Sequence, residues 1–124
     1  MDVLKFNIDG SARGSPGLAG MGGVLRDASG KVLCLFSNHL GIQFSNTTEI
    51  LAIHKAVHIC ADSSTLSARN IIIISDSKVA VSWVNNDGFG NLDHVNWIYD
   101  IRSKLDYLGN TKVILRGHAC EERV

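Results

Sequence analysis

Lys5-Phe6-Asn7-Ile8-Asp9-Gly10-Ser11 alternates apolar and polar side chains, then meets an acid followed by two small residues. With Val3 and Leu4 ahead of it, the segment over residues 3–8 has the period of two expected of a β-strand, ending on Asp9 and a polar turn. Two more acids occupy comparable places. Glu49 opens a helical stretch after Ser45-Asn46-Thr47-Thr48, and Asp76 follows the apolar run Ile71-Ile72-Ile73-Ile74 and begins Asp76-Ser77-Lys78. Acids at strand ends and at a helix start can meet at one edge of a sheet. Converging carboxylates repel and are costly to desolvate unless a cation joins them. An oxygen-only donor set suits Mg2+ or Mn2+, so the pattern points to a metal-dependent site acting on phosphate.

The flanking sequence supplies the sheet. Residues 10–23 are rich in Gly, Ser and Ala and read as a loop entering a second strand near Gly20, where glycines mark close backbone approach. Asp27-Ala28-Ser29-Gly30 is a hairpin turn, and residues 31–40 form the partner strand. Ser45 or Asn46 is expected to cap a helix to about Ala61, with Ile50, Ile53, Ala56, Val57 and Cys60 on its apolar face. Residues 71–74, β-branched throughout, fit a strand covered on both faces. Asp76 or Ser77 caps a short helix carrying Val79, Ala80, Trp83 and Val84, and residues 85–88 stop it. A further helix over residues 92–108 and a strand over 112–115 complete the order βββαβααβ. That order defines an α/β fold with a five-stranded mixed sheet, β1–β3 antiparallel and β4–β5 added in parallel, flanked by helices.

Composition narrows the function classes. With 124 residues, 45% hydrophobic, the chain can build one core as a single domain over 1–124. Its 12 basic and 12 acidic side chains cancel, so no global basic field draws it to nucleic acid or to an anionic membrane. No apolar run approaches the ~20 residues of a membrane span, and the strand starting almost at Met1 leaves no room for a signal peptide. Cys34, Cys60 and Cys120 match no zinc spacing and read as reduced thiols, Cys34 and Cys60 buried, which implies an intracellular, reducing compartment. Nucleus, cytoplasm and organelle stay open. A monomer is expected.

Each acid has a bland explanation on its own. Asp9 suits a turn before Gly10, Glu49 suits the positive end of a helix, and Asp76 suits an N-cap. Their co-occurrence in one topology favours a shared metal site. His54 and His58 stand at i, i+4, also a zinc spacing, but without a third ligand they read as a helix face. Trp83 and Trp97 read as packing, and His39 and His94 carry no motif.

Taken together, residues 7–11, the glycine-rich stretch ending Gly22-Gly23-Val24-Leu25-Arg26-Asp27, Asn46-Thr47-Thr48-Glu49 and Ser75-Asp76-Ser77 resemble the ribonuclease H type 1 domain. More narrowly they are similar to the plant ribonuclease H-like, reverse-transcriptase-like subgroup, over essentially the whole chain. The resemblance implies endonucleolytic cleavage of the RNA strand of an RNA–DNA hybrid, with two Mg2+ ions (Mn2+ as a substitute) held by four carboxylates. Three of these map onto Asp9, Glu49 and Asp76. It also implies that Gly10 and Ser11 meet the RNA strand, that Asn46 touches the hybrid, and that Ser77, Lys78 and Arg13 contact substrate. Arg116 and Lys112 join Arg13 and Lys78 as expected phosphate contacts. Arg116-Gly117-His118-Ala119 is similar to the family's mobile loop, with His118 matching the catalytic histidine. The fourth carboxylate is expected a few residues past Val124, with the last helix missing; substitution by Glu121 or Glu122, which fall early in the pattern, is the other reading. The alternative is a weak or inactive nucleic-acid-binding module of the same fold.

Overall fold

A computed structural model describes residues 2–85 and 92–117 of the chain. The strands are β1 (Val3–Gly14), β2 (Gly17–Arg26), β3 (Val32–Gln43), β4 (Asn70–Ser75) and β5 (Thr111–Leu115), and the helices α1 (Ser45–Asp62), α2 (Lys78–Asn85) and α3 (Val95–Leu108). They occur in the expected order, and the five strands form one mixed sheet arranged β3-β2-β1-β4-β5. The two hairpins β1–β2 and β2–β3 are antiparallel, whereas β4 and β5 are added in parallel.

Period-two patterning in β1 turns Leu4, Phe6 and Ile8 to one face, where they are buried, and leaves Lys5 and Asn7 on the other. On β4, Ile71 and Ile73 join that buried layer, and Ile74 is fully buried as well. Helix α1 covers the layer with Ile50, Ile53, Ala56, Val57 and Cys60, the residues its spacing nominates. Helix α3 adds Ile98 and Ile101, and ends where Gly109, at φ +74°, returns its N–H to the Leu105 carbonyl at 3.0 Å.

Several local expectations are corrected. β1 runs on through the small residues 10–14 instead of entering a loop, because pairing with β2 continues rung by rung from Gly10↔Met21 to Gly14↔Gly17. Tertiary pairing overrides the weak strand preference of Gly and Ala. Helix α1 receives no cap from Ser45 or Asn46: both lie inside the helix, and Phe44 holds the cap position with no side-chain hydrogen bond. Helix α2 buries Ala80, Val81 and Val84 and leaves Val79 exposed, one step round from the expected face. Residues 92–94 form a 3-10 turn ahead of α3. Cys60 is buried, and that burial pushes its thiol up to about 12, whereas Cys34 is only half-buried. Among the described residues no helix is long and apolar enough to cross a membrane.

Candidate active site

The register of the parallel pair β1–β4 brings two acids together. Rungs run from Val3↔Asn70 to Asn7↔Ile74, so Asp9 and Asp76 both lie two residues past the same rung. At that point β1 stays with β2 while the chain leaves β4 toward α2, so the two connections diverge at the carboxyl end of the strands. Ligand sites in sheets of this kind form where neighbouring connections diverge.

Glu49 comes to the same place from α1. It lies in the second turn of the helix, not the first. Its Oε1 accepts the Gly10 N–H at 2.6 Å. Gly10 is what permits this approach: a Cβ there would sit 2.8 Å from the Glu49 backbone nitrogen and closer still to the Thr48 carbonyl. The carboxylates of Asp9, Glu49 and Asp76 each place an oxygen within 4.8 Å of the others. Asp9 and Asp76 are exposed and Glu49 is half-buried.

The electrostatics are those of an anionic cluster. Burial pushes Glu49 up to about 7; the Gly10 N–H opposes this, and the charges of Asp9 and Asp76 reinforce it. Asp9 is also held above its ordinary range, by desolvation first and by Asp76 next, with Gly10 and Arg116 acting against the rise. With Glu49 and Asp9 both held above their ordinary proton affinity, the three clustered oxygen donors form a set that suits a hard divalent cation, since such an ion would replace the proton as the neutralising charge.

The remaining expected residues are spread more widely. Ser11 and Arg13 follow Asp9 on the same side of β1 and are exposed. At ~3.4 Å per residue they trail away from it by about 7 and 14 Å. Asn46, exposed one helical turn before Glu49, lines a cleft of about 260 Å³ with Ser15, Phe44, Thr47, Asp93 and His94. Ser77 is the true cap of α2, its Oγ accepting the Ala80 N–H at 3.1 Å, and Lys78 is exposed beside it. Arg116 reaches the Asn7 Oδ1 at 3.3 Å and lies near enough to Asp9 to lower its proton affinity. Lys112 is displaced from the cluster: it pairs with Ile72 and borders the cavity of Val3, Asn70 and Gly109 at the opposite end of the sheet. His118, Cys120, Glu121 and Glu122 lie outside the described residues.

One residue without a sequence signal enters the neighbourhood. His94 is buried, with its Nε2 2.8 Å from the Thr47 Oγ1, and its ring lies between Trp83 and Trp97. A lone histidine before a helix gives no pattern to read. His54, by contrast, is structural: its Nε2 meets the Asp100 Oδ2 at 2.6 Å and ties α1 to α3.

A mixed five-stranded sheet with three helices and a carboxylate cluster at the strand ends defines the ribonuclease H fold. The chain matches the reverse transcriptase-like family over residues 7–116 and belongs to it. It is 30% identical, over 83 residues, to a protein of Arabidopsis thaliana that bears the name of a ribonuclease H. That match covers 64% of this chain but only 13% of the Arabidopsis protein. Among solved structures, a ribonuclease H1 isolated from compost by a metagenomic approach superposes with a TM-score of 0.83 at 22% identity, covering 99% of this chain and 90% of that one. The same compost enzyme, solved in complex with an RNA/DNA hybrid, gives a TM-score of 0.80 at 21% identity over 98% and 90% of the two chains. The ribonuclease H1 of the archaeon Halobacterium salinarum gives 0.79 at 22% identity over 98% and 91%.

Proposed function

We propose that the chain hydrolyses the RNA strand of RNA–DNA hybrids with the aid of two divalent cations. The observation that carries this reading is the convergence of Asp9, Glu49 and Asp76 within 4.8 Å at the edge where β1 and β4 part. Membership of the reverse transcriptase-like family and the likeness to an enzyme solved on a hybrid support it.

Asp9, Glu49 and Asp76 would hold the ions, which supply water activation and neutralisation of charge on the scissile phosphate. The chain's own contribution is orientation. Gly10 N–H fixes one oxygen of Glu49, leaving the other for a cation. The small residues Gly10 and Ser11 allow the RNA strand to lie close to β1, where 2′-hydroxyls can be told from deoxyriboses. Asn46, exposed one turn before Glu49 on α1, would meet the same duplex. Exposed Arg13 and Lys78, with Arg116 beside Asp9, would serve its phosphates. Recognition by groove shape and 2′-hydroxyls makes the reaction insensitive to base sequence.

The deciding experiment incubates a labelled hybrid with the protein and with Asp76→Asn, in Mg2+ and in Mn2+. Cleavage confined to the RNA strand, lost in the variant, supports the reading. Equal cleavage by both proteins refutes it. A second reading is favoured by the cluster holding three carboxylates, not four, among the described residues: a hybrid-binding module without turnover. Binding that survives EDTA, with no cleavage under either metal, decides for that module.

A further inference from the structure

Helix α1 carries Asn46 and Glu49, yet it starts without a side-chain cap, because Phe44 has no oxygen to offer. Its first two turns are instead tied from three distant places. The Ser45 N–H donates to the Ser15 Oγ at 3.2 Å, the Glu49 Oε1 accepts from Gly10 at 2.6 Å, and the Thr47 Oγ1 meets the His94 Nε2 at 2.8 Å. Only the last tie is buried at both ends: Thr47 is 7% exposed and His94 4%.

That bond is also braced. The His94 ring centroid lies 5.3 Å from Trp83 on α2, tilted by 37°, and 6.1 Å from Trp97 on α3, tilted by 32°. The Arg102 guanidinium, from α3, donates to the carbonyls of Trp83 and Val84 and holds the end of α2 in place. Parts of α2 and α3 therefore converge, through one imidazole, on a hydroxyl two residues from Glu49. A local cap would settle only the dihedrals of the first turn. This arrangement fixes the turn relative to the rest of the fold.

We propose that His94 is a positioning residue of the cleavage site, setting through Thr47 the place at which α1 presents Asn46 and Glu49. The inference rests on the hybrid-cleaving reading above. Thr47 and Glu49 belong to the same hydrogen-bonded helix, so a displacement of Thr47 carries Glu49 with it. Metal clusters tolerate little of this, since a ligand moved by a fraction of an ångström no longer closes the coordination. Desolvation keeps His94 below its ordinary range, against the opposing charge of Asp93, so the ring is neutral at physiological pH and suits its apolar neighbours.

The test uses three substitutions. His94→Phe fills the space between the indoles but cannot bond to Thr47. Thr47→Val removes the hydroxyl and keeps the shape. His94→Gln returns a polar nitrogen near the Nε2 position. Mn2+ affinity is measured by titration calorimetry, and kcat and KM on a labelled hybrid. His94→Phe and Thr47→Val are expected to weaken Mn2+ binding about tenfold and to lower kcat about tenfold with KM little changed. The double variant should be no worse than either single one, and His94→Gln should recover most of the loss. Wild-type Mn2+ affinity in Thr47→Val overturns the proposal, as does a His94→Gln protein no better than His94→Phe. If His94→Phe does not fold, Thr47→Val decides. If the unaltered protein binds Mn2+ and cleaves no hybrid, the catalytic reading fails, and the Mn2+ titrations still establish whether His94 positions the cluster.

Discussion

Replacing Gly10 by alanine tests the link between packing and chemistry at its narrowest point. The added Cβ would lie 2.8 Å from the Glu49 nitrogen and nearer still to the Thr48 carbonyl group. Both obstacles are main chain, so no rotamer change relieves them; β1 and α1 must separate. Overpacking of this kind costs about 1–3 kcal/mol. Separation also stretches the 2.6 Å bond from the Gly10 N–H to the Glu49 carboxylate, a charge-assisted bond contributing about 1.5–3 kcal/mol. The two effects together come to about 2.5–6 kcal/mol, a large part of a domain's ~5–15 kcal/mol. With a urea dependence of ~1.5–2 kcal/mol per molar, the unfolding midpoint should fall by about 2 M. Mn2+ affinity, measured at pH 8 where Glu49 is ionised, should drop at least tenfold. A midpoint within about 0.5 M of the unaltered protein, with Mn2+ binding intact, would show that α1 does not depend on the missing side chain and that Glu49 is held by something else.

Four further outcomes are expected. Glu49, pushed up to about 7, binds a proton in the folded state that the unfolded chain releases near its ordinary carboxylate value. Metal-free stability should therefore fall as pH rises from about 4.5 through 7, and calorimetric Mn2+ affinity should rise over pH 6–8, about tenfold per unit below 7. Asp76→Asn removes one of the charges that raise Glu49 and Asp9, so the melting temperature in EDTA should rise slightly while the stabilisation conferred by Mn2+ disappears. Thr111 is buried, with no partner for its hydroxyl among the described residues; Thr111→Val should raise stability by about 1 kcal/mol in urea titrations. If Arg13, Lys78 and Arg116 are the phosphate contacts among the described residues, the logarithmic salt dependence of hybrid affinity should be about −3.

The strands and acids were legible because they obey short-range rules. Leu4, Phe6 and Ile8 alternate, residues 71–74 are apolar throughout, and Asp9 and Asp76 each end such a run. What escaped the sequence depends on partners far along the chain. Residues 10–14 look like a loop until β2 pairs with them. Ser45 looks like a cap until the helix starts one residue earlier in space and takes its tie from Ser15. Lys112 looks like a phosphate contact until the parallel register places it at the far end of β5. His94 is the extreme case, since its neighbours Thr47, Trp83 and Trp97 lie on three separate helices.

These long-range ties explain why a neutral chain can keep three carboxylates close together. Each acid on its own would move into water, and the repulsion among Asp9, Glu49 and Asp76 works in that direction. Asp9 and Asp76 follow two residues after the last β1–β4 rung, and that ladder, set among fully buried Phe6, Ile73 and Ile74, limits how far they can separate. Glu49 cannot withdraw without moving a helix whose opposite contacts are the core itself. The core thus supplies the rigidity that the cluster opposes, and a bound divalent cation would return part of that energy. The protein should accordingly gain more thermal stability from Mn2+ than from an equal increase in ionic strength with NaCl, and a metal effect no larger than the salt effect would show that the three acids are not held as one site.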